Sequence, residues 1–215
     1  MVKKSTKVSY AFVNDIDKQV SKSYKDAYDA YKNREDNDDE LCLIQNKKVI
    51  MILNTKMISV RWAIACASRV LHIFEKKYPD DLRPRQAIEA ATRWLNAPTE
   101  TNRMTANAAA DVVVDAAWAA WAANAAANAA ANAAANAAWA ASVIYTNVYV
   151  YAANEAADAA ANATNAAASS EIAWQRRCLQ SIVDRSIAIL YLLKMQQNPK
   201  TTLPLDLQKL VRNFI

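Results

Sequence analysis

The chain has 215 residues, a length that suits one ordinary domain with a short appendage. Apolar residues make up 53% of it and charged residues 22%, which favours a folded core over disorder. The absence of glycine excludes the phosphate-binding P-loop, the dinucleotide fingerprint, the nucleophile elbow and the glycine-dependent RNA modules. It also argues against a fold rich in β-hairpins, whose tight turns favour Asn-Gly and Gly-X pairs.

Histidine and cysteine usage narrows the choice further. A single histidine, His72, excludes a two-histidine zinc site. Cys42, Cys66 and Cys178 are widely spaced and form no CxxC pair, which is typical of buried thiols in a reducing compartment. The N-terminal residues lack the apolar stretch of a signal peptide, and no run of about 20 strongly apolar residues predicts a membrane span. We therefore expect a cytoplasmic protein that does not interact with a membrane.

The net charge of +5 is unevenly distributed along the chain. Residues 104–175 contain no Lys or Arg and have five acidic residues, so their charge is −5 and the remainder carries +10. A basic balance is compatible with nucleic-acid binding. The basic residues are dispersed and interrupted by acidic ones, however, which favours solvated outer helices over a nucleic-acid surface.

Residues 1–50 are predicted to be an N-terminal extension with one short amphipathic helix. Apolar residues recur there at three- and four-residue steps from Val13 to Tyr31. The acidic run at residues 34–40 indicates a solvated loop. The apolar run at residues 41–53 is ambiguous between strand and helix, and we interpret its second half as helix because it leads into a longer helical pattern.

Two helices are predicted next. Residues 54–77 place apolar side chains on one stripe, and Tyr78-Pro79 ends that helix because the residue before a proline is pushed out of the α region. Asp81 is a plausible N-cap for the following helix, which has Pro84 in its first turn and runs to about Asn96.

Residues 101–198 contain neither proline nor glycine, and alanine fills about half of residues 104–168. Alanine is the best helix former and allows close helix packing. Breaks are predicted within residues 122–136, near Thr164–Ala168, and at Ser169 or Ser170 as a cap for the next helix. We predict an all-α fold, a compact multi-helix bundle of six to eight helices with the Ala-rich ones central, ending in a short helix at about residues 203–215.

Asparagine repeats every four residues in the Ala-rich tract, at Asn124, Asn128, Asn132 and Asn136. On a helix this row forms one slowly winding polar ridge. We favour a solvated stripe on an alanine helix, or a frayed connector. A groove lined by asparagine and an ice-binding face are the alternatives.

Few residues could support catalysis. His72 and Glu75 lie one helical turn apart, while Cys66 points to nearly the opposite side of that helix. The carboxylate pairs Asp111 with Asp115 and Glu155 with Asp158 could bind a divalent ion, but the Glu-x-x-His element of di-metal bundles is missing. We therefore predict no catalytic residues, no metal site and no cofactor.

Six tryptophans lie in helical segments, where core packing is the favoured role for most of them: Trp62, Trp94, Trp118, Trp121, Trp139 and Trp174. Trp118 and Trp121 are three residues apart and so share a helix face. If both are exposed, they form an aromatic anchor of the kind that dominates protein interfaces.

Several motifs within residues 57–185 resemble a known family. They are Trp62-Ala63 with Cys66-Ala67, the PDDxRPR turn that begins at Pro79 and continues into Ala87-Ile88-Glu89-Ala90, Trp118 in an Ala-rich middle, and Glu171 with Trp174-Gln175. This combination resembles the immunity proteins of bacterial polymorphic-toxin systems, specifically the fifth-numbered immunity family and its close relatives. Asparagine stands in the middle where relatives more often have Arg or His, and residues 1–50 have no counterpart.

The resemblance implies a non-catalytic α-helical protein, with its immunity-like domain at residues 51–215, that binds and neutralises a toxin or a defence effector. In the turn, Arg83 and Arg85 are expected to pair with Asp80, Asp81 or Glu89, with Pro84 in the first helical turn. Trp118, Trp121, Arg83 and Arg85 are the candidate partner-binding residues. Binding of a small nucleotide-like ligand between helices and nucleic-acid binding by the basic helices are alternatives, and a homo-oligomer is possible.

Overall fold

The computed structural model describes residues 8–13, 20, 22–34, 40–121, 125–143, 146–164 and 168–197. The chain divides into two compact units. The first consists of Met1–Thr55 with Leu179–Ile215, and the second of Lys56–Cys178. The pairing of the two chain ends in one unit was not predicted, and the domain boundary at residue 50 stays a prediction.

The first unit contains a three-stranded antiparallel sheet in the order β1-β2-β3. The strands are β1 (Ser9–Val13), β2 (Glu40–Gln45) and β3 (Lys48–Ile52). β1 and β2 pair in the register Ala11 to Cys42. The inward side chains Ala11, Val13, Cys42 and Ile44 form a buried cluster.

The hairpin between β2 and β3 corrects the prediction that the second half of residues 41–53 is helical. Its turn residues, Asn46 and Lys47, have φ angles of 52° and 61°. Two successive left-handed residues match the turn that joins twisted antiparallel strands, and asparagine tolerates this conformation better than most residues. Glycine is therefore not required here, and the β-branched and apolar residues of LCLIQ and KVIMI pair as strands.

The predicted N-terminal amphipathic helix is shorter than expected. α1 spans Ala27–Lys32 and has Asp26 as its N-cap, whose side chain accepts a hydrogen bond from the backbone N–H of Asp29 at 2.9 Å. Val13, the first residue of the predicted stripe, lies in β1 instead. Ala27 and Tyr31 of that stripe are buried, as predicted, and Tyr28 and Ala30 are buried beside them.

The end of the last helix also belongs to the first unit. α7 spans Ala168–Gln197, and its residues from Leu179 onward lie in this unit. The Gln180 side chain accepts from the backbone N–H of Ala27 at 3.3 Å and donates to the hydroxyl of Tyr10 at 2.8 Å. Burial, with Asp184 nearby, raises the pKa of Tyr10 to about 12. α7 thereby links α1 and β1.

The second unit is built from helices, and the predicted helical bundle is confirmed. α2 (Thr55–Lys77) contributes its residues from Lys56 onward, and Lys76 and Lys77 in its last turn complement the helix dipole. It is followed by α3 (Arg83–Asn96), α4 (Glu100–Trp121), α5 (Ala125–Ser142), α6 (Thr146–Thr164) and the first part of α7. Proline and the Asp-rich turn separate α2 from α3 as predicted.

The Ala-rich helices pack in sequence, α4 against α5 and α5 against α6. Their contact surfaces are almost entirely alanine, and most alanines of α5 are completely buried. A methyl side chain lets helix axes approach closely, so these helices need no large side chains between them. Trp62 and Trp94, predicted core residues, are buried, whereas Trp139 is 36% exposed and corrects that prediction.

The helix breaks agree in part with the predicted ones. α6 ends at Thr164, at the predicted break. α7 begins at Ala168, so Ser169 and Ser170 lie in its first turn and the prediction that one of them caps this helix is wrong. α4 ends at Trp121 and α5 begins at Ala125, within the predicted interval, and Asn124 lies outside the described residues. The break between Ser142 and Thr146 was not predicted, because Ser-Val-Ile-Tyr-Thr has no proline or glycine to mark it. The predicted terminal helix at residues 203–215 lies outside the described residues.

α2 is long and apolar enough to cross a membrane by length and composition, the one such helix among the described residues. Of the 18 residues that form the most apolar stretch of α2, 56% are buried inside the structure. Core helices of water-soluble proteins have the same length and composition, so this property is weak evidence for a membrane span.

Candidate functional site

The turn between α2 and α3 is held by an ion pair between Asp81 and Arg83. The guanidinium of Arg83 donates through Nε to Oδ1 of Asp81 at 2.9 Å and through Nη2 to Oδ2 at 2.6 Å. The same Oδ1 accepts from the backbone N–H of Arg83 at 3.2 Å. The N-cap position is Leu82, not the predicted Asp81, yet the Asp81 carboxylate binds the first helical N–H group. Hydrogen bonds from Arg83 lower the pKa of Asp81.

The second arginine of the motif joins two helices. Arg85 donates through Nε to Oε1 of Glu75 at 2.7 Å and through Nη2 to Oε2 at 2.9 Å. This pairing corrects the expectation that Arg85 binds Asp80, Asp81 or Glu89. Arg85 therefore links the first turn of α3 to the last part of α2. Among the described residues, neither Asp80 nor Glu89 forms an ion pair.

The motif of Glu171, Trp174 and Gln175 in α7 is anchored by the buried carboxylate of Glu171. Glu171 in α7 is 1% exposed, and Oε2 accepts from Nε of Arg69 in α2 at 2.8 Å. A buried carboxylate is stable only when it is paired, because desolvation of an isolated charge is costly. The structure thus explains Glu171 as the partner that fixes α7 on α2.

The two other residues of this motif complete the same contact. The guanidinium carbon of Arg69 lies 4.4 Å from the centre of the Trp174 ring, a cation–π distance. Gln175 is buried and donates through Nε2 to the carbonyl oxygen of Ala157 in α6 at 2.7 Å. The Glu171, Trp174 and Gln175 motif therefore joins α7 to α2 and α6.

Two cations bind the C-terminal end of α5. Lys56 donates to the carbonyl oxygen of Val143 at 2.5 Å, and Arg103 donates to that of Ser142 at 2.9 Å. Lys56 also lies 4.4 Å from the centre of the Trp94 ring. Cations at a helix C-terminus satisfy unpaired carbonyls and complement its dipole. Burial, and then repulsion from Arg103, lowers the pKa of Lys56.

A polar furrow runs along the outer side of α5 and α6 and encloses about 450 Å³. We call it the α5–α6 furrow, and it is lined by Ala129, Asn132, Asn136, Glu155, Asp158, Ala159 and Asn162. Two predicted features, the asparagine ridge and the second carboxylate pair, meet here. Asn132 and Asn136 therefore line a groove, which was the alternative to a solvated stripe. The Asn128 side chain lies outside the described residues.

An exposed aromatic pair lies one helical turn beyond one end of the furrow. Trp139 follows Asn136 by three residues, and Tyr151 precedes Glu155 by four, so each lies on the face that lines the furrow. The two rings meet edge to face, with centroids 6.4 Å apart and an interplanar angle of 84°. Trp139 is 36% and Tyr151 53% exposed. Exposed aromatic pairs of this kind are frequent in protein interfaces.

The sequence reasoning missed Tyr151 and assigned Trp139 to the core. The sequence did contain a signal for this surface. One face of α6 has a stripe of residues at four- and three-residue steps, namely Tyr151, Glu155, Asp158 and Asn162. Asn132, Asn136 and Trp139 form the matching stripe on α5. Both stripes can be read from the sequence, but not the fact that they face each other.

The partner-binding role of Arg83, Arg85, Trp118 and Trp121 stays a prediction, because two of these side chains lie outside the described residues. Arg83 and Arg85 bind Asp81 and Glu75, and these contacts are structural. Trp118 and Trp121 lie in the last turn of α4, and their side chains lie outside the described residues. Asp111 and Asp115 are exposed on α4. The hydrogen bond with Asp81, and to a smaller extent the charge of Asp115, raises the pKa of Arg83.

The described residues contain no group of three or more His, Cys, Asp or Glu side chains that could hold a metal ion. His72 places Nδ1 3.1 Å from the carbonyl oxygen of Arg69, and Glu75 is engaged by Arg85. Cys66 is buried, and burial raises the pKa of Cys178.

Comparison with known proteins gives one match. No curated protein and no solved structure matches the chain. The family described as Imm-5 like putative immunity protein matches residues 51–182, more than half of the chain, and the protein therefore belongs to this immunity family.

Proposed function

We propose that this protein is a non-catalytic inhibitor that neutralises a toxin by forming a stoichiometric complex with it. The observation that carries the proposal is the extent of the family match. Residues 51–182 coincide closely with the second unit, Lys56–Cys178, so the family relationship resides in one compact helical body. That body includes both motif clusters and the α5–α6 furrow.

The division of labour within the second unit supports a binding role. The motif residues are used in contacts between helices, where they rigidify α2, α3, α6 and α7. The exposed surface of α5 and α6 offers aromatic, amide and carboxylate groups instead. A rigid scaffold with a polar and aromatic surface suits recognition, since little conformational entropy is lost on binding.

We expect the gene of the target toxin to lie next to the gene of this chain, and the test uses that toxin. Co-expression is expected to restore growth of cells that produce the toxin, and the purified proteins are expected to form a one-to-one complex by analytical ultracentrifugation. Inhibition titrated with increasing inhibitor should reach its end point at equal molar amounts. Inactivation of the toxin by a small fraction of an equivalent would instead identify an enzyme and overturn the proposal.

A small polar ligand is a second candidate, favoured by the furrow volume of about 450 Å³. Ligand sites commonly have volumes of about 300–1,000 Å³, but they are mostly apolar, and this lining is polar. A ligand that prefers the native protein must raise its melting temperature. A thermal-shift screen of nucleotides and amino acids that yields a saturable stabilisation, lost in Glu155→Gln, would favour this candidate.

A further inference from the structure

One face of α4 presents large apolar side chains to solvent. α3 and α5 pack against α4, and its residues Ala106, Ala110 and Val113 are buried. Met104 precedes Val113 by nine residues, about two and a half turns, so it lies on the opposite side of the helix. There Met104 is 60% and Val112 50% exposed. A contiguous exposed apolar surface marks an interaction site, whereas apolar residues scattered singly do not.

The exposed apolar residues of α4 are contiguous because they recur at four-residue steps. Met104, Ala108 and Val112 are all exposed and form one row, which we call the α4 ridge. The short methyl group of Ala108 lies between two larger side chains and leaves a shallow notch in the ridge. Rows at four-residue steps are the ridges by which helices interdigitate. The shape of the α4 ridge therefore suits a second helix.

A row of carboxylates follows the α4 ridge along the same face. Asp111 and Asp115 are both exposed, and each lies three residues after a member of the ridge. The Asn107 side chain donates through Nδ2 to Oδ2 of Asp111 at 3.3 Å and so holds this carboxylate along the helix. Arg83 of α3, which interacts with the charge of Asp115, is bound by both carboxylate oxygens of Asp81.

The sign of the charge beside the ridge selects the partner. Residues 104–175 contain no Lys or Arg, so from Met104 onward α4 contributes acidic charges alone. An apolar ridge beside anionic groups is complementary to an apolar ridge beside cationic groups. Such complementarity raises the rate of encounter and rejects partners of like charge.

From these observations we propose that the exposed face of α4 binds a basic amphipathic helix of the partner protein. This inference rests on the proposed function and specifies the partner's surface. One apolar side chain of the partner helix fills the notch at Ala108, and its neighbours pack on Met104 and Val112. Lys or Arg side chains on the same helix pair with Asp111 and Asp115.

The length of the ridge agrees with this mode of binding. Met104 and Val112 are eight residues apart, which corresponds to about 12 Å at about 1.5 Å per residue. Helices that bind along a groove or ridge commonly use apolar anchors at i, i+4 and i+7, which span about 10 Å.

The first test measures the dissociation constant of the complex with the target toxin by isothermal titration calorimetry. Val112→Lys places a charge in the α4 ridge and is expected to weaken the complex at least about tenfold, because burial of an unpaired charge is costly. Val114→Lys is the matched control, since Val114 is 44% exposed on the same helix but about 200° around it from Val112. It is expected to change the affinity less than about twofold. Circular dichroism and thermal unfolding check that both variants are folded.

The second test separates the carboxylates of α4 from net charge. Asp111→Asn combined with Asp115→Asn is expected to weaken the complex about five- to tenfold and to reduce its dependence on salt. Asp80→Asn combined with Glu89→Gln removes the same charge from exposed residues of the turn and of α3. This control is expected to change the affinity less than about twofold.

A third test reads the chemistry of the partner directly and does not depend on a change in affinity. The photoreactive residue p-benzoylphenylalanine replaces Met104, and the irradiated complex is analysed by mass spectrometry. We expect a cross-link to a helical segment of the toxin that has apolar residues at i and i+4 with Lys or Arg beside them. The same photoreactive residue in place of Val114 is expected to cross-link much less.

Three results would overturn the inference. They are equal affinities of the Val112→Lys and Val114→Lys variants, an affinity unchanged by Asp111→Asn with Asp115→Asn, and a cross-link to a second copy of this chain or to a toxin segment without Lys or Arg.

The toxin assay keeps the two proposals distinct. If Val112→Lys binds and neutralises the toxin as the unaltered chain does, the exposed face of α4 is not the interface and the proposed function stands. If the unaltered chain neither binds nor neutralises the toxin, the proposed function fails and the inference that rests on it fails as well.

Discussion

Two regions of the second unit use the same residue types, carboxylates and aromatic rings, in different ways. In the motif region, Arg69, Arg83 and Arg85 each bind a carboxylate of the same chain and hold helices or a turn in place. In the α5–α6 furrow, carboxylates and aromatic rings lie along helices that contain no basic residue. Residues that bind one another between helices build the scaffold, whereas the furrow brings polar side chains together on helices that have no basic residue.

This difference corrects an intuitive use of sequence motifs. The motif residues on which the resemblance was based, among them Asp81 and Arg83 in the turn and Glu171 with Trp174 in α7, form contacts that hold the fold. The low-complexity Ala/Asn tract, which carries little family signal, lines the furrow. Mutations should therefore separate into two classes, those that reduce stability and those that reduce binding at nearly constant stability.

The largest effect is expected from truncation of a buried ring. Trp94 is 6% exposed, and the Lys56 ammonium lies 4.4 Å from its ring centre. Trp94→Ala should lower the free energy of unfolding by about 3–5 kcal/mol, measured by urea denaturation, because it leaves a cavity and removes the cation–π contact. Trp139→Ala is the matched control and should cost less than about 1 kcal/mol, since that ring is partly exposed. Equal losses at both positions would abolish the distinction between the two regions.

The next effect is expected at the buried ion pair. Arg69→Ala leaves the Glu171 carboxylate buried without its cation and should lower the free energy of unfolding by about 3 kcal/mol, at the lower end of the range because the Arg69 side chain is 43% exposed. The double variant Arg69→Ala with Glu171→Gln should recover part of this loss, because no charge remains buried. A double variant that is less stable than Arg69→Ala would show that the carboxylate is stabilised by other groups.

A smaller effect of opposite sign is expected in the furrow. Asparagine is a poorer helix former than alanine by roughly 0.5–0.7 kcal/mol. Asn136→Ala should therefore raise the free energy of unfolding by about 0.5 kcal/mol, measured by urea denaturation. A lower free energy of unfolding in Asn136→Ala would show that the Asn136 side chain makes a contact whose contribution outweighs its poor helix propensity.

The smallest effect is expected at the exposed turn. Arg83 lowers the pKa of Asp81 from its ordinary value of 3.8, so the folded state binds this proton less tightly than the unfolded state. The ion pair therefore stabilises the fold above about pH 4, and this contribution is lost as the pH falls through the lowered pKa. Because the pair lies at the surface and is only partly buried, Asp81→Asn should cost only a few tenths of a kcal/mol at pH 7 and nothing near pH 2. A constant difference across this pH range would indicate loss of the N–H contact instead.

Local sequence signals predicted the helices well but the N-terminal strands poorly. Pro79 and the stripe from Met57 to Phe74 defined α2 and its end because both act within one element. The apolar runs at β2 and β3 are too short for periodicity to separate strand from helix, and pairing with β1 decides between them. The left-handed turn at Asn46 and Lys47 has no glycine to reveal it.

For the site, the sequence by itself determined the composition of each face. It fixed the four-residue asparagine ridge, the i, i+3 spacing of Glu155 and Asp158, and the absence of basic residues from 104 to 175. Only the tertiary structure decided that α5 turns back onto α6 at Val143, so that both polar stripes line one furrow and Trp139 meets Tyr151. The physical reason is that helix faces made of alanine can pack closely against one another in many orientations. The spacing of polar residues along a helix therefore reveals which face is polar, but it does not reveal which other helix lies beside that face.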